Sequence, residues 1–421
     1  MQETDKAGRE WVITAACFTL HFCSAPFYVL TVFFTSLEAD FGWSRALISS
    51  MHSTFLLVAA ASNIIVGWLT DKYGPRVPLI ACGLLIGIGL VLISQVQNIG
   101  QVLSFYALAS LGAAAIAVVP MATVQRLVRS KRGGLALGIT TAGNSAGRLF
   151  LTPVSGLLLL AYGWRTAYVV IGVAAWLLIS FSAILLPSYR KQRLETAGNA
   201  PQHEPVPDNA RIVTGSHLSE AQKQKSIKEI IKTKAFLLTC IMFMFPIACN
   251  QMIAVHIVPF AEGEGISKAA AATAFGLMGI FGIAGNIICS TLSGRISWGW
   301  LTFITSVGSS LAVFWLMGTG SLWMLYVFVV FYGFFFFGNV PTRLGFTRQL
   351  FGDQYLASTI AILFSAGALL GMFTTVAAGY IYDVTGSYSI SFLIAAIFFI
   401  ISAFTVIMLR RMQLSRSSGA L

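Results

Sequence analysis

The 421-residue sequence predicts an all-helical integral membrane protein with twelve transmembrane helices in two pseudo-symmetric six-helix bundles. Three observations predict it: an apolar composition, a dozen apolar runs of span length, and a repeat that relates one half of the chain to the other.

Hydrophobic residues make up 57% of the chain and charged ones 10%, with a mean hydropathy of +0.80. A soluble domain is roughly 45 to 50% apolar, so water cannot be the only solvent here. The formal net charge of +12 does not indicate nucleic-acid binding, because the basic residues fall in the loops between apolar runs. All six cysteines lie within those runs without a CxxC pair, so neither disulfides nor a metal site is expected. The polar first ten residues, followed by a run from Trp11 too long for a signal core, predict a retained first span.

A transmembrane helix needs about 20 mostly apolar residues. Runs of that kind occupy 12–36, 46–70, 77–96, 102–126, 134–160 and 166–187. After a polar break they resume at 235–260, 269–293, 299–317, 322–346, 355–380 and 388–409. The expected organisation is a bundle over 1–187, a linker over 188–234, a second bundle over 235–409 and a tail over 410–421. Lys72, Arg76, Arg126, Arg129, Lys131, Arg132, Arg295, Arg348, Arg410, Arg411 and Arg416 all fall on one side, against Arg45, Arg165 and Lys268 on the other. By the positive-inside rule both termini are expected in the cytoplasm of a plasma or inner membrane. Within the linker, SEAQKQKSIKEIIKTK from Ser219 spaces Ile227, Ile230 and Ile231 opposite a basic face, the pattern of a helix lying on an anionic leaflet.

A shift of 223 positions carries Gly42, Ser44 and Ala46 onto Gly265, Ser267 and Ala269, and Gly156 and Gly163 onto Gly379 and Gly386. It also aligns ASNIIVGWLTDKYG from Ala61 with AGNIICSTLSGRIS from Ala284. One offset at three separated junctions marks a structural repeat. The first copy holds Gly67, Asp71, Lys72, Gly74 and Arg76. Gly67 lets helices approach, Gly74 permits a tight turn, and Asp71 can pair with a cation or cap a helix, so the loop reads as a conformational latch. The second copy has Gly294 in place of the acid and Ser297 in place of the turn glycine, and it keeps Arg295.

Gly67, Leu69, Asp71, Lys72, Gly74 and Arg76 resemble the signature loop between spans two and three of the major facilitator superfamily. Within it, DFGWSRALIS from Asp40, VHIVPFAEGEGIS from Val255, GWRTAY from Gly163 and GYIYDVTGSYSISF from Gly379 are similar to the monocarboxylate and oxalate/formate exchanger branch. The resemblance implies a secondary transporter of small carboxylates, by proton-coupled symport or anion exchange with alternating access. It also implies a cavity lined by spans one, four, seven and ten. That branch places an arginine beside a glycine in span eight, where this chain has Gly285 and Asn286.

Arg148 is read as the one formal charge deep in a span, about 14 residues or 21 Å into the fifth helix, where it costs at least ~2.5 kcal/mol. A substrate anion is its expected counter-charge. Thr141, Ser145, Arg148 and Thr152 form one polar stripe, with Asn144 beside it and Gly143 and Gly147 permitting a close helix contact. Asn286 and its repeat partner Asn63 are expected to supply neutral donors. Span one carries Thr14, His21, Ser24, Tyr28, Thr31 and Thr35 on one face; span seven offers Asn250, Gln251 and His256, and span ten Tyr332, Phe335, Phe336 and Asn339. His21 and His256 are the candidate proton carriers, since imidazole alone titrates near neutrality unaided.

There is no GxxxxGK[ST] phosphate loop and no catalytic triad, so an enzyme, a cofactor and ATP drive are not expected. The expected partners are a small carboxylate and the bilayer. The alternative reading is an exporter of hydrophobic drug-like molecules through phenylalanine-rich walls.

Overall fold

The computed structural model describes residues 2–24, 30–43, 45–128, 130, 132–187 and 227–418. Helices α1 (Gln2–Phe22) and α2 (Leu30–Phe41) make the first span, followed by α3 (Arg45–Tyr73), α4 (Arg76–Ile93) and α5 (Ile99–Leu127). Helix α6 (Gly133–Leu185) has 53 residues, about 80 Å at 1.5 Å per residue and far more than one crossing of a ~30 Å core. It is two helices broken at Gly163, whose φ of 76° only glycine adopts without cost, and these are spans five and six. The short α7 (Ile227–Ile231) falls where the linker's amphipathic segment was expected, with Ile230 buried; positions 188–226 lie outside the described residues. The second half is α8 (Lys234–Gly263), α9 (Lys268–Thr291), a 3-10 turn (Leu292–Gly294), α10 (Trp298–Met317), α11 (Leu322–Phe351), α12 (Leu356–Thr385) and α13 (Ser389–Ser418). Together they form the twelve expected spans in two bundles, and among the described residues ten segments are individually long and apolar enough to cross a membrane.

Local chemistry sets the ends. Asn98, Thr233 and Ser267 cap α5, α8 and α9 by accepting from the N–H three residues on, satisfying donors that a helix start leaves orphaned. Repeat partners share backbone as well as sequence: Gly42 (φ 64°) matches Gly265 (φ 80°), and Gly163 (φ 76°) matches Gly386 (φ 69°). Large apolar side chains such as Leu157, Leu160, Phe373 and Val376 point outward, as a lipid-facing surface requires.

Each half packs mainly on itself, α1 and α4 on α6 and α3 and α4 on α5 in the first, α9 and α10 on α11 and α12 and α13 on α8 in the second. The halves meet along two seams, α3 with α12 and α6 with α9. Both are lined by small residues. A Cβ on Gly67 would lie 2.6 Å from that of Ala361, and one on Gly138 would lie 2.6 Å from the Asn286 carbonyl oxygen. Small side chains of this kind let backbones approach where lipid supplies no hydrophobic drive between helices.

Candidate functional site

The Asp71 loop is the most heavily bonded part of the inter-half boundary. Asp71, at the end of α3, accepts from Arg126 Nη2 at the end of α5 and, across the seam, from the Ser358 backbone N–H (2.8 Å) and hydroxyl in the first turn of α12. Arg126 also donates from Nε to the Asp353 carbonyl (2.9 Å) and from Nη2 to that of Gln354 (3.2 Å). A carboxylate on the N-terminus of α12 is favoured by the helix dipole as well as by the hydrogen bonds. Gly67 lies against Ala357, Ser358 and Ala361, and Gly74 turns the chain at φ 84°. The two halves are therefore fastened at this corner. Lys72 does not join the clamp: its ammonium lies 4.7 Å from the Trp68 ring and 5.1 Å from that of Tyr73. Arg76 opens α4, and Arg295 is exposed. Sequence reasoning missed Arg126, Asp353 and Ser358 as latch members; the signal was the need of Asp71 for a cation at the same membrane depth.

Deeper in, the stripe on span five faces both halves. Ser145 is fully buried, its Oγ 2.9 Å from where a Cβ on Gly282 of α9 would stand. One turn on, half-buried Arg148 places its guanidinium carbon 5.8 Å from the ring of Phe337 on α11. Arg148 thus stands where spans five, eight and ten converge. Asn286 is buried in the same seam, its Nδ2 donating to the Gly282 carbonyl of its own helix (2.8 Å). The Oδ1 atoms of Asn286 and Asn63 and the Ser145 Oγ are buried without a hydrogen-bond partner among the described residues. Span one closes on the same helix. His21 Nδ1 lies 3.1 Å from the Thr140 carbonyl, Asn144 donates to the Ser24 hydroxyl, and Gly143 sits against the Phe18 carbonyl and His21. Tyr28 lies outside the described residues, as do the side chains of Thr31, Thr35 and Thr152.

Helix α11 presents a different face from the one expected. Tyr332 is buried between Phe328, Phe336 and Phe399, and Phe335 covers Gly308 of α10. Asn339 donates to the Thr302 carbonyl (3.2 Å), Thr305 Oγ1 (2.7 Å) and Ser306 Oγ (3.0 Å), all on α10. The seam face belongs instead to Phe337, whose ring packs on Gly282, while the backbone of Phe334 lies against Gly285. On α8, Gln251 packs on Gly371, and Asn250 is half-buried. His256 meets the Thr375 carbonyl (3.0 Å) and the Tyr388 hydroxyl (3.3 Å), away from Arg148.

The expectation of one deep charge is corrected by Arg343, a side chain of α11 only 1% exposed. Pro246 lacks the N–H that would bond the Met242 carbonyl. Ser402 Oγ supplies a donor there (3.1 Å), and Arg343 Nη1 donates to the next carbonyl, Phe243 (3.2 Å), with its guanidinium carbon 5.0 Å from the Phe243 ring.

A family model described as Major Facilitator Superfamily matches residues 16–373. Monocarboxylate transporter 12-B of Danio rerio is 24% identical over 98% of this chain and 90% of its own length. The oxalate:formate antiporter of Oxalobacter formigenes is 27% identical over 44% of each. The structure of the proton:xylose symporter XylE bound to 6-bromo-6-deoxy-D-glucose matches 95% of both chains with a TM-score of 0.72 at 14% identity. With its twelve spans and two half-spanning seams, the chain belongs to the major facilitator superfamily, a multi-pass membrane transporter and not an enzyme, resembling the monocarboxylate and oxalate–formate branch.

Proposed function

We propose that this transporter is a secondary carrier of small organic anions, chiefly monocarboxylates, working by alternating access with proton symport or anion exchange. The observation that carries the reading is the position of Arg148. A guanidinium at the convergence of spans five, eight and ten, drawn from both halves, can hold a carboxylate while the halves rock about it. The names of the relatives support the same substrate class. Ser145 and Asn144, within one turn of Arg148 on span five, and Asn286, buried in the seam between α6 and α9, are the neutral groups assigned to orient the anion. The two bundles 1–187 and 235–409, joined by 188–234, are the moving bodies, and the basic loops put the Asp71 face and both termini in the cytoplasm of a plasma or inner membrane.

The test is uptake of labelled monocarboxylates and oxalate into proteoliposomes, with and without a pH gradient. Arg148→Ala is expected to reduce uptake at least about a hundredfold, the equivalent of ~2.7 kcal/mol for a charged hydrogen bond, with partial recovery in Arg148→Lys. Normal carboxylate flux through Arg148→Ala would refute the assignment. Failure of every carboxylate, with efflux of apolar compounds instead, would favour an exporter whose path is lined by Phe337.

A further inference from the structure

Among the described residues two arginines stand over tryptophan rings at the ends of spans, and only one of them has an acid beside it. Arg165 places its guanidinium carbon 4.3 Å from the Trp164 ring and meets the Asp40 carboxylate at 3.2 Å. Arg410, where the last span ends on α13, stands 4.1 Å from the ring of Trp300 in the first turn of α10. No carboxylate or carbonyl of the described residues accepts from it. Its neighbour Arg411 is exposed.

The stem of Arg410 is seated in a notch. A Cβ on Gly299 would lie 2.7 Å from its Cδ and 3.0 Å from its Cγ, so the glycine makes room for the side chain to lie toward Trp300. A guanidinium supported on its face presents its N–H fork edgewise, the geometry that receives a phosphate through two hydrogen bonds. The depth is that of lipid headgroups. Trp300 is 47% exposed, and 15 residues or about 22 Å further along α10 the rings of Trp315 and Trp323 meet at 6.0 Å, so aromatic rings stand at both membrane levels. Between those levels the packed pair α10 and α13 turns Ile304, Phe404 and Met408 outward. The antiparallel match of Gly299 with Arg410 sets Ile304 near the depth of Phe404, roughly 8 Å below the guanidinium.

We propose that Arg410, Arg411 and Trp300 bind the headgroup of an anionic phospholipid, with an acyl chain along the stripe of Ile304, Phe404 and Met408. The lipid phosphate supplies to Arg410 the negative charge that Asp40 supplies to Arg165. An anionic lipid fits better than a zwitterionic one, because a choline or ethanolamine cation would meet two guanidinium groups. A free phosphate forgoes the apolar part of the contact. Both helices belong to the second half, so the occupant travels with that bundle and is separate from the seam at Arg148. The leaflet that supplies it rests on the orientation proposed above, whereas binding itself does not.

The purified full chain in detergent provides the test, with native mass spectrometry following retained lipid during titration with phosphatidylglycerol or with phosphatidylcholine of the same acyl chains. One phosphatidylglycerol is expected to be held at least about tenfold more tightly than phosphatidylcholine. Arg410→Gln is expected to bring the two lipids within about threefold of each other. Arg410→Lys keeps the charge and the stem but loses the fork, so its preference is expected to fall between, and it carries the comparison if Arg410→Gln does not fold. Gly299→Ala leaves the net charge unchanged and pushes the stem off the ring, so it is expected to lower the preference at least about threefold. A surface that is merely basic predicts no effect of that substitution. Equal retention of the two lipids by the unsubstituted chain, or a preference undiminished in Gly299→Ala or in the Arg410 variants, would overturn the proposal. Displacement of phosphatidylglycerol by an equal concentration of inorganic phosphate would also overturn it, by assigning the arginines to a soluble anion.

Discussion

Asp71→Asn keeps the shape of the side chain and removes its charge, so it isolates what electrostatics contributes to the seal. The carboxylate accepts from Arg126 Nη2, the Ser358 N–H and the Ser358 hydroxyl, and the two charged side chains are only 13% and 7% exposed. An amide keeps one acceptor oxygen and turns the other position into a donor, which meets either the Arg126 N–H groups or the N–H of Ser358. Arg126 retains the carbonyls of Asp353 and Gln354, so it is not abandoned in a buried site. Hydrogen bonds to charged groups are worth ~1.5 to 3 kcal/mol each, and loss of one with partial loss of a second removes about 2 to 3 kcal/mol from the sealed state. At 1.36 kcal/mol per factor of ten, the ratio of sealed to open protein falls roughly 30- to 160-fold. Double electron–electron resonance between labels at Tyr73 and Arg411 reads this as growth of a long-distance population. An unchanged distance distribution in Asp71→Asn, repeated with Arg126→Gln, would show that the glycine seam alone holds the face shut and would refute the reasoning.

Substitutions at four further positions test the packing. Gly138→Ala places a Cβ 1.8 Å from Ser290 Oγ and 2.6 Å from the Asn286 carbonyl, so it is expected to destabilise the sealed state by about 1 to 3 kcal/mol, seen as a longer distance between the same labels. Gly163→Ala forces an L residue to φ 76° at the break between spans five and six and is expected to cost about 1 to 2 kcal/mol in thermal unfolding, whereas Gly156→Ala, with nothing within 4 Å and no positive φ, is expected to be nearly silent. Arg343→Ala empties a buried site and is expected to lower stability by about 3 to 5 kcal/mol, while Arg343→Met refills most of the volume and leaves only the Phe243 carbonyl without its donor, about 1 to 3 kcal/mol, so equal melting temperatures for the two would contradict the packing account.

The span pattern and the repeat were legible because both rest on local physics. Apolar runs of fixed length follow from the thickness of the hydrocarbon core, and Gly42, Gly163, Gly265 and Gly386 recur because each copy needs a left-handed residue at the same junction. The latch was half legible. Asp71 announced a clamp, but its partners Arg126 and Ser358 lie 55 and 287 residues away, and nothing in the spacing of the loop selects them over Lys72 next door. The helical face of α11 was misread because a stripe at 332, 335, 336 and 339 satisfies periodicity whichever neighbour it faces. The glycines at 282 and 285 on α9 and at 308 on α10 decide which aromatics go where.

Arg343 shows why burial of charge is hard to read from one helix. It stands eight residues before the end of α11, close enough to the terminus to pass for a snorkelling cation. Pro246 takes one N–H out of the ladder of α8 and frees the Met242 carbonyl, and one residue on the Phe243 carbonyl accepts from Arg343. Ser402 and Arg343 donate to these two carbonyls from two different helices, so α8, α11 and α13 are tied beside Pro246. The two deep arginines therefore sit in different settings. Arg343 is bound to backbone oxygens within one half, whereas Arg148 stands where the halves meet, and only there does a change in how the halves pack alter what the guanidinium touches. An anion that follows the moving boundary is coupled to that boundary through Arg148, and a substitution at Arg343 is expected to act on stability before it acts on substrate affinity.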